Sequence, residues 1–291
     1  MFSFFVLGLG SFLVPLLTGY SLADVAGLNE RSPEMLRQAA LLWQFLYTLG
    51  TFLAPSLLFA YATHPRPGRY LGLVKPGRTI HWLLVPVAMM GLIPVLLQLG
   101  HWIEMLPWWS ESTRQEAQRL EDLTTIFTTM RSPGEFLKIL FLMAVLPAIG
   151  EELFFRGVMM RFAAKRSLNV FFPIILTSLM FAFVHMNTYG LLSIFVAAVF
   201  LALVYYWTGS LWLSILAHFL NNGAQIVLLY LAENNASVAS FAESNEVPMT
   251  LFLAGLAIFS VSFWLLWKNR TPLPSSWTED YDPEELVEEG K

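Results

Sequence analysis

Cysteine is absent from these 291 residues. That excludes disulfides, thiolate metal sites and a cysteine nucleophile, and leaves the redox state of the compartment undetermined. Charge is scarce too: Asp, Glu, Lys and Arg together make up 13% of the chain, where a soluble domain carries about 25%. No Lys/Arg-rich run is present, so nothing points to a nucleic-acid partner. What fills the space is apolar. Hydrophobic residues account for 56% and the mean hydropathy is +0.58, which together describe a polytopic membrane protein. The net charge of −4 carries little information here, because the partition of charge between loops matters more than its sum.

Read in order, residues 1–18 are apolar but lack the basic n-region of a signal peptide, and the run is long for one, so a first transmembrane helix is expected. A connector holding Asp24, Glu30, Arg31, Glu34 and Arg37 follows, with Ser32-Pro33-Glu34 as a capped helix start. Further spans are expected at 39–62, 82–100, 133–164, 170–186, 191–207, 211–232 and 248–267, about eight in all. Trp102, Trp108 and Trp109 sit where an interfacial aromatic belt belongs. Within 110–131, Leu120, Leu123, Phe127 and Met130 recur at helical spacing, which predicts an amphipathic helix on the membrane surface before the fourth span. Arg66, Arg69, Lys75, Arg78, Lys165, Arg166, Lys268 and Arg270 fall on one side if the spans alternate, so both termini are expected in the cytoplasm. No fixed-period repeat and no inverted pair of halves is evident. The fold class is therefore all-α: a transmembrane helical bundle occupying 1–268, with a motif-bearing core at 136–232 and an acidic, disordered cytoplasmic tail at 269–291.

Polar residues at membrane depth are few. The fourth span contains Glu151, Glu152 and Arg156, and intramembrane charges are costly enough to mark a functional site. Glu152 and Arg156 are four apart, the favoured order for a helical ion pair, while Glu151 is turned about 100° away and left for other work. Pro147, one turn earlier, frees the carbonyl near Met143 and allows a kink or a water there. The fifth span ends in His185. The seventh places His218, Asn222 and Gln225 on one stripe. A lone intramembrane histidine is usually an interhelical hydrogen-bond partner. Groups on three helices that all need polar partners in hydrocarbon are most economically satisfied by facing one another. Glu151 then suits a general base, His185 can hold the same water or ligate a metal, and His218 with Asn222 can donate to a developing oxyanion. This is chemistry for water attack on a peptide carbonyl.

Glu151-Glu152-x-x-x-Arg156, Phe181-x-x-x-His185 and His218-x-x-x-Asn222, in that order, resemble the CPBP (ABI) family of intramembrane proteases, which includes the CAAX prenyl endopeptidases of the Ras-converting-enzyme type. The resemblance runs from Pro147 to about Gln225. It implies Glu151 and His185 as the water-activating pair and His218 and Asn222 as the oxyanion donors, with Glu152, Arg156 and Phe181 in support. Zinc stays open: Glu151, His185 and His218 could ligate it, but neither histidine begins a His-Glu-x-x-His, and a metal-free glutamate mechanism is the preferred expectation. Gly-x-Ser-x-Gly and Gly-x-Gly-Asp elements are missing, which sets other intramembrane protease classes aside.

The expected partners are the bilayer and a membrane-associated or lipidated peptide or protein, in the plasma (inner) membrane if the source is bacterial. The alternatives are a membrane scaffold or immunity protein that keeps the motif without hydrolysis, and a proton-coupled transporter. One difficulty stands out. Counted from the cytoplasmic ends at the rise of an α-helix, His218 lies about 10 Å deep but Glu151 and His185 about 20 Å deep. A shared site therefore requires a short or tilted fifth helix, or span ends other than those expected.

Overall fold

The computed structural model describes residues 2–167, 169–233, 235–244 and 246–278, and among them there is no strand. The main helices are α1 (Phe2–Thr18), α2 (Glu34–Thr63), α3 (His81–Glu104), α4 (Glu111–Thr128), α5 (133–165), α6 (Phe171–Val184), α7 (Leu191–Thr208), α8 (Leu211–Ala232), the short α9 (Ala236–Ser244) and α10 (Met249–Lys268). Five of them, α2, α3, α7, α8 and α10, are long and apolar enough to cross a membrane, while α1 from Val6 and α6 are apolar but shorter. The all-helical expectation holds. Five helices among the described residues meet that measure, where about eight spans were expected.

The largest core lies where α3, α7, α8 and α10 meet, around Met89, Leu92, Leu201, Val204, Leu213 and Leu266. Close approach of α3 to α10 depends on two glycines. A Cβ on Gly91 would lie 2.9 Å from the Gly255 carbonyl oxygen, and one on Gly255 would lie 2.8 Å from that of Gly91. Small residues let membrane helices pack backbone to backbone in this way. A second core joins α5 to α2, α6, α7 and α8 through Ala60, Ala148, Leu153, Met160, Ile174 and Tyr205.

The basic loops gather at one end of the bundle. Arg161 of α5 donates to the Tyr70 carbonyl at 3.0 Å and lies over the Tyr70 ring, and Arg78 donates to Asn269 at 3.0 Å. Leu211 N, at the start of α8, donates to Gly72 O at 2.8 Å in the same region. The end of α7 is also finished there. Gly209, at φ +69°, turns the chain in the left-handed region and its N–H caps Tyr205 O at 2.9 Å, as C′ glycines commonly do. The next three carbonyls are capped from elsewhere: Tyr206 by Leu273 N (2.9 Å), Trp207 by Thr271 N (2.7 Å) and Thr208 by Gly77 N (3.1 Å).

That docking corrects the expected disorder from 269 onward. Leu273 and Trp277 join the α5–α7 core, and Ser275–Thr278 forms a 3-10 turn. Polar composition had suggested a loose tail, but two apolar side chains and two backbone bonds tie its first part down. Residues 279–291 of the expected tail lie outside the described residues.

Helix α4 begins at the Ser110 cap, whose side chain accepts from Thr113 N. Part of its apolar stripe is used inside the protein: Leu123, Ile126 and Phe127 pack on Val14, Leu28, Leu36 and Ala39. Arg37 of α2 reinforces this by donating to the carbonyls of Ile126 and Thr129. Two short polar helices, Leu22–Ala26 with a Ser21/Asp24 capping box and α9, occupy segments read from sequence as connectors. Neither carries an apolar period long enough to announce it.

Candidate active site

Helix α5 is not uniformly α-helical. π-helical turns at Phe141–Val145 and Leu153–Met159 flank the α-helical stretch Leu146–Glu152 that ends in the two carboxylates. Each π-turn lets the helix take in an extra residue, which shifts the faces on either side, and such turns favour functional sites. Pro147 has no N–H to offer the carbonyl four residues back. The Met143 oxygen accepts instead from Asn222 Nδ2 of α8, at 3.4 Å.

The ion pair expected between Glu152 and Arg156 is present at 2.7 Å, with both side chains fully enclosed (0% and 1% exposed). Arg156 also donates to the Ala198 carbonyl of α7 at 2.8 Å and lies over the Phe181 ring at 4.7 Å. Glu152 has a second partner. The oxygen that accepts from Arg156, Oε1, also takes His218 Nδ1 at 2.9 Å. An ionised carboxylate only accepts, so His218 Nδ1 carries its hydrogen and Nε2 is left to face the other way. There it meets Glu151 Oε2 at 3.9 Å.

His185 is oriented by the same logic. It caps the C-terminus of α6, its Nδ1 donates to the Phe181 carbonyl at 2.7 Å, and its Nε2 stands 4.0 Å from Glu151 Oε2. Glu151 is thus flanked by the Nε2 atoms of both histidines, each with Nδ1 committed behind it. Glu151 Oε2 is itself buried with no hydrogen-bond partner among the described residues. Phe181 ties the group together: its ring lies 4.6 Å from that of His185 and 5.7 Å from that of His218.

The structure therefore brings Glu151, Glu152, Arg156, Phe181, His185 and His218 into one cluster. Asn222 sits one turn beyond His218 on α8, with its amide on Met143 and its Oδ1 accepting from Asn221 at 3.1 Å. No hydrogen bond joins Asn222 to the other members among the described residues. Helix α6 is short: it has 14 residues and stops at Val184, so His185 lies at its C-terminal end and not within a full span. The Ala198 carbonyl and the double use of Glu152 carry no sequence signal; Phe181 was marked by its spacing to His185. A cleft of about 630 Å³ between Leu28–Arg31 and Arg119–Ile126 contains none of these residues.

Glu151, His185 and His218 were also the candidate zinc ligands. Among the described residues no three His, Asp or Glu side chains are placed to hold a metal ion. The separations of 3.9 and 4.0 Å explain why: tetrahedral zinc with bonds near 2.0–2.2 Å brings neighbouring ligand atoms to about 3.3–3.5 Å. A water hydrogen-bonded at about 2.8 Å to two such atoms subtends roughly 90° between them, close to its natural angle.

A family model described as type II CAAX prenyl endopeptidase, Rce1-like, matches residues 133–224. That stretch is Rce1-like. The match begins at the first residue of α5 and ends within α8, so it takes in every member of the cluster together with Asn222. It leaves out α1 to α4, α9, α10 and the tail. No curated protein and no solved structure matches the chain. An Rce1-like segment thus lies within a bundle of long apolar helices, the make-up of an integral membrane protein.

Proposed function

We propose that the chain is an intramembrane endopeptidase in which Glu151 and His185 activate a water for attack on a peptide carbonyl. The observation that carries this reading is the placement of Glu151 Oε2 within 4.0 Å of two imidazole Nε2 atoms whose Nδ1 atoms are both pinned. A water seated among them gives a proton to Glu151 or His185 as its oxygen bonds to the carbonyl carbon. The negative charge then forms on the former carbonyl oxygen. Asn222 retains one amide N–H beyond the one on Met143 with which to meet that charge. His218 donates from Nε2 only as an imidazolium, since its Nδ1–H is already given to Glu152. Return of the proton from Glu151 or His185 to the leaving nitrogen breaks the C–N bond and yields a new carboxylate and a new amine.

No step is routed through a metal, because the donor spacing suits a water better than tetrahedral zinc. The test uses purified protein reconstituted with a lipidated CAAX peptide and a panel of transmembrane peptides. Wild type is expected to give product that Glu151→Ala and His185→Ala both abolish and a chelator leaves unchanged. Product persisting in either variant refutes the assignment. Loss with chelator, restored by zinc, refutes the metal-free mechanism. Absence of product across the whole panel moves the weight to a non-hydrolytic scaffold or immunity role.

A further inference from the structure

The end of the bundle where the basic loops gather has no carboxylate in those loops. The chain carries no Asp or Glu between Glu34 and Glu104, between Glu152 and Glu233, or between Glu246 and Glu279. These three acid-free stretches supply the loops that meet here, and with them Arg69, Lys75, Arg78, Arg166, Lys268 and Arg270, all exposed. Backbone bonds pin the loops to one another, Gly77 N to Thr208 O at 3.1 Å and Leu211 N to Gly72 O at 2.8 Å among them. Among the described residues, Lys75, Arg78, Arg166, Lys268 and Arg270 belong to no ion pair. The partners of Arg78 and Arg270 are neutral, the Asn269 side chain and the Trp267 carbonyl. Like charges gathered on one face build a positive field that draws counter-charge from outside the loops.

A dense counter-charge lies in the same chain and is fastened at the same end. The amides of Thr271 and Leu273 cap α7, and the Trp277 ring stands edge-on to that of Tyr205 with centroids 6.0 Å apart. The turn Ser275–Thr278 packs against Met160–Lys165, the last stretch of α5. The chain therefore leaves this turn close to Lys165 and Arg166. Seven of the eleven residues from Glu279 to Glu289 are Asp or Glu, and none is basic. A segment of that length reaches at most about 36–40 Å, roughly four helix-to-helix spacings, so the basic loops lie within its range. Attachment at Thr278 holds its charge near them at an effective concentration on the order of millimolar.

We propose that the basic end of the bundle is a docking surface for the chain's own acidic segment, Glu279–Glu289, which holds the place that anionic lipid headgroups otherwise take. A single exposed ion pair contributes little, but several formed by one tethered segment act together. The phosphates of anionic lipids are drawn to the same kind of Lys and Arg cluster at a membrane surface. Segment and headgroup therefore compete, and the segment sets how strongly this end of the protein gathers anionic lipid. Salt loosens the contact, because exposed charges are screened. The docking is independent of the chemistry at Glu151.

The lack of cysteine makes the test clean, since any disulfide within the chain must join the two thiols introduced. Leu286→Cys is combined with Thr79→Cys, beside Arg78, or with Ser167→Cys, beside Arg166. Thr188→Cys, in the loop after His185, replaces them in the control. The full chain is placed in phosphatidylcholine nanodiscs and treated with a mild oxidant. At low salt at least one of the first two pairs is expected to close within the molecule, and the Thr188 pair is not. Closure is expected to slow at least about fivefold, as the loss of a few cooperating surface pairs would give, under each of three changes. These are about 1 M salt, where the screening length is ~3 Å, replacement of all seven acidic residues by their amides, and exchange of half the lipid for phosphatidylglycerol. Closure of neither pair, or closure of the Thr188 pair as fast, overturns the docking. A rate that neither salt nor the amide substitutions change also overturns it, since the tether alone then brings the thiols together. A rate that phosphatidylglycerol leaves unchanged overturns the competition with lipid.

Discussion

Glu152→Gln separates the two jobs of the buried carboxylate. Oε1 accepts from both Arg156 and His218, and Oε2 has no partner among the described residues. A glutamine with its oxygen in the Oε1 position keeps both hydrogen bonds and loses only the charge. Arg156 is then a buried cation left with the Ala198 carbonyl and the face of Phe181. Removing one partner of a buried pair costs about 3–5 kcal/mol, a large share of the roughly 5–15 kcal/mol that holds a protein folded. In a protein of this size that is a fall in Tm of roughly 5–8 °C. The negative charge behind His218 goes at the same time, and loss of oxyanion stabilisation lowers kcat by about 10²–10³. The double variant Glu152→Met with Arg156→Met tells packing from function. Replacing both members of a buried pair by apolar residues of similar volume is often neutral, so its Tm is expected to return toward wild type. Its peptide cleavage is expected to stay lost, because no atom accepts the His218 Nδ1–H. Thermal unfolding in detergent and a cleavage assay read both quantities. A double variant that is stable and active would refute a positioning role for Glu152; a single variant with unchanged Tm would refute the energetics.

Other outcomes follow from the same coordinates. Asn222→Ala removes the second oxyanion donor and is expected to lower kcat about 10²–10³ with little change in Tm, its only bond to α5 being the long one to Met143. Gly255→Ala drives a Cβ onto the Gly91 carbonyl and Pro94. Backbone cannot yield as a side chain does, so a cost of about 1–3 kcal/mol is expected as a lower Tm. In the basic loop, burial first and Arg161 second hold the pKa of His64 below its ordinary value of 6.5. The neutral ring is favoured in the folded protein, so its contribution is complete above the ordinary value and is lost as pH falls through the depressed one. Protease nicking of the 64–78 loop is expected to rise between about pH 8 and pH 5, and His64→Gln is expected to flatten that rise.

Much of this was legible beforehand because hydrocarbon penalises polar groups so severely. Glu151, His185 and His218 were each marked by the cost of standing alone, and their convergence followed from that cost. The span at 211–232 was read to the residue, since its apolar run and both ends were clear. Glu152 was half understood. Spacing along one helix revealed Arg156, but no spacing could reveal that His218, 66 residues away, shares the same oxygen. The π-turns escaped because they leave composition unchanged and alter only the register. Docking of 271–278 escaped because Leu273 and Trp277 stand alone among prolines and serines, without a period to betray them.

The borrowed cap on α7 sets an order of events for the chain's synthesis. The carbonyl of Trp207 is completed by the amide of Thr271, 64 residues later, after α8, α9 and α10 have all been made. Until then the sixth expected span, whose Ala198 steadies Arg156, ends in open acceptors at the membrane boundary. A nascent chain arrested anywhere before Thr271 can hold the whole cluster in sequence and still lack a finished α7.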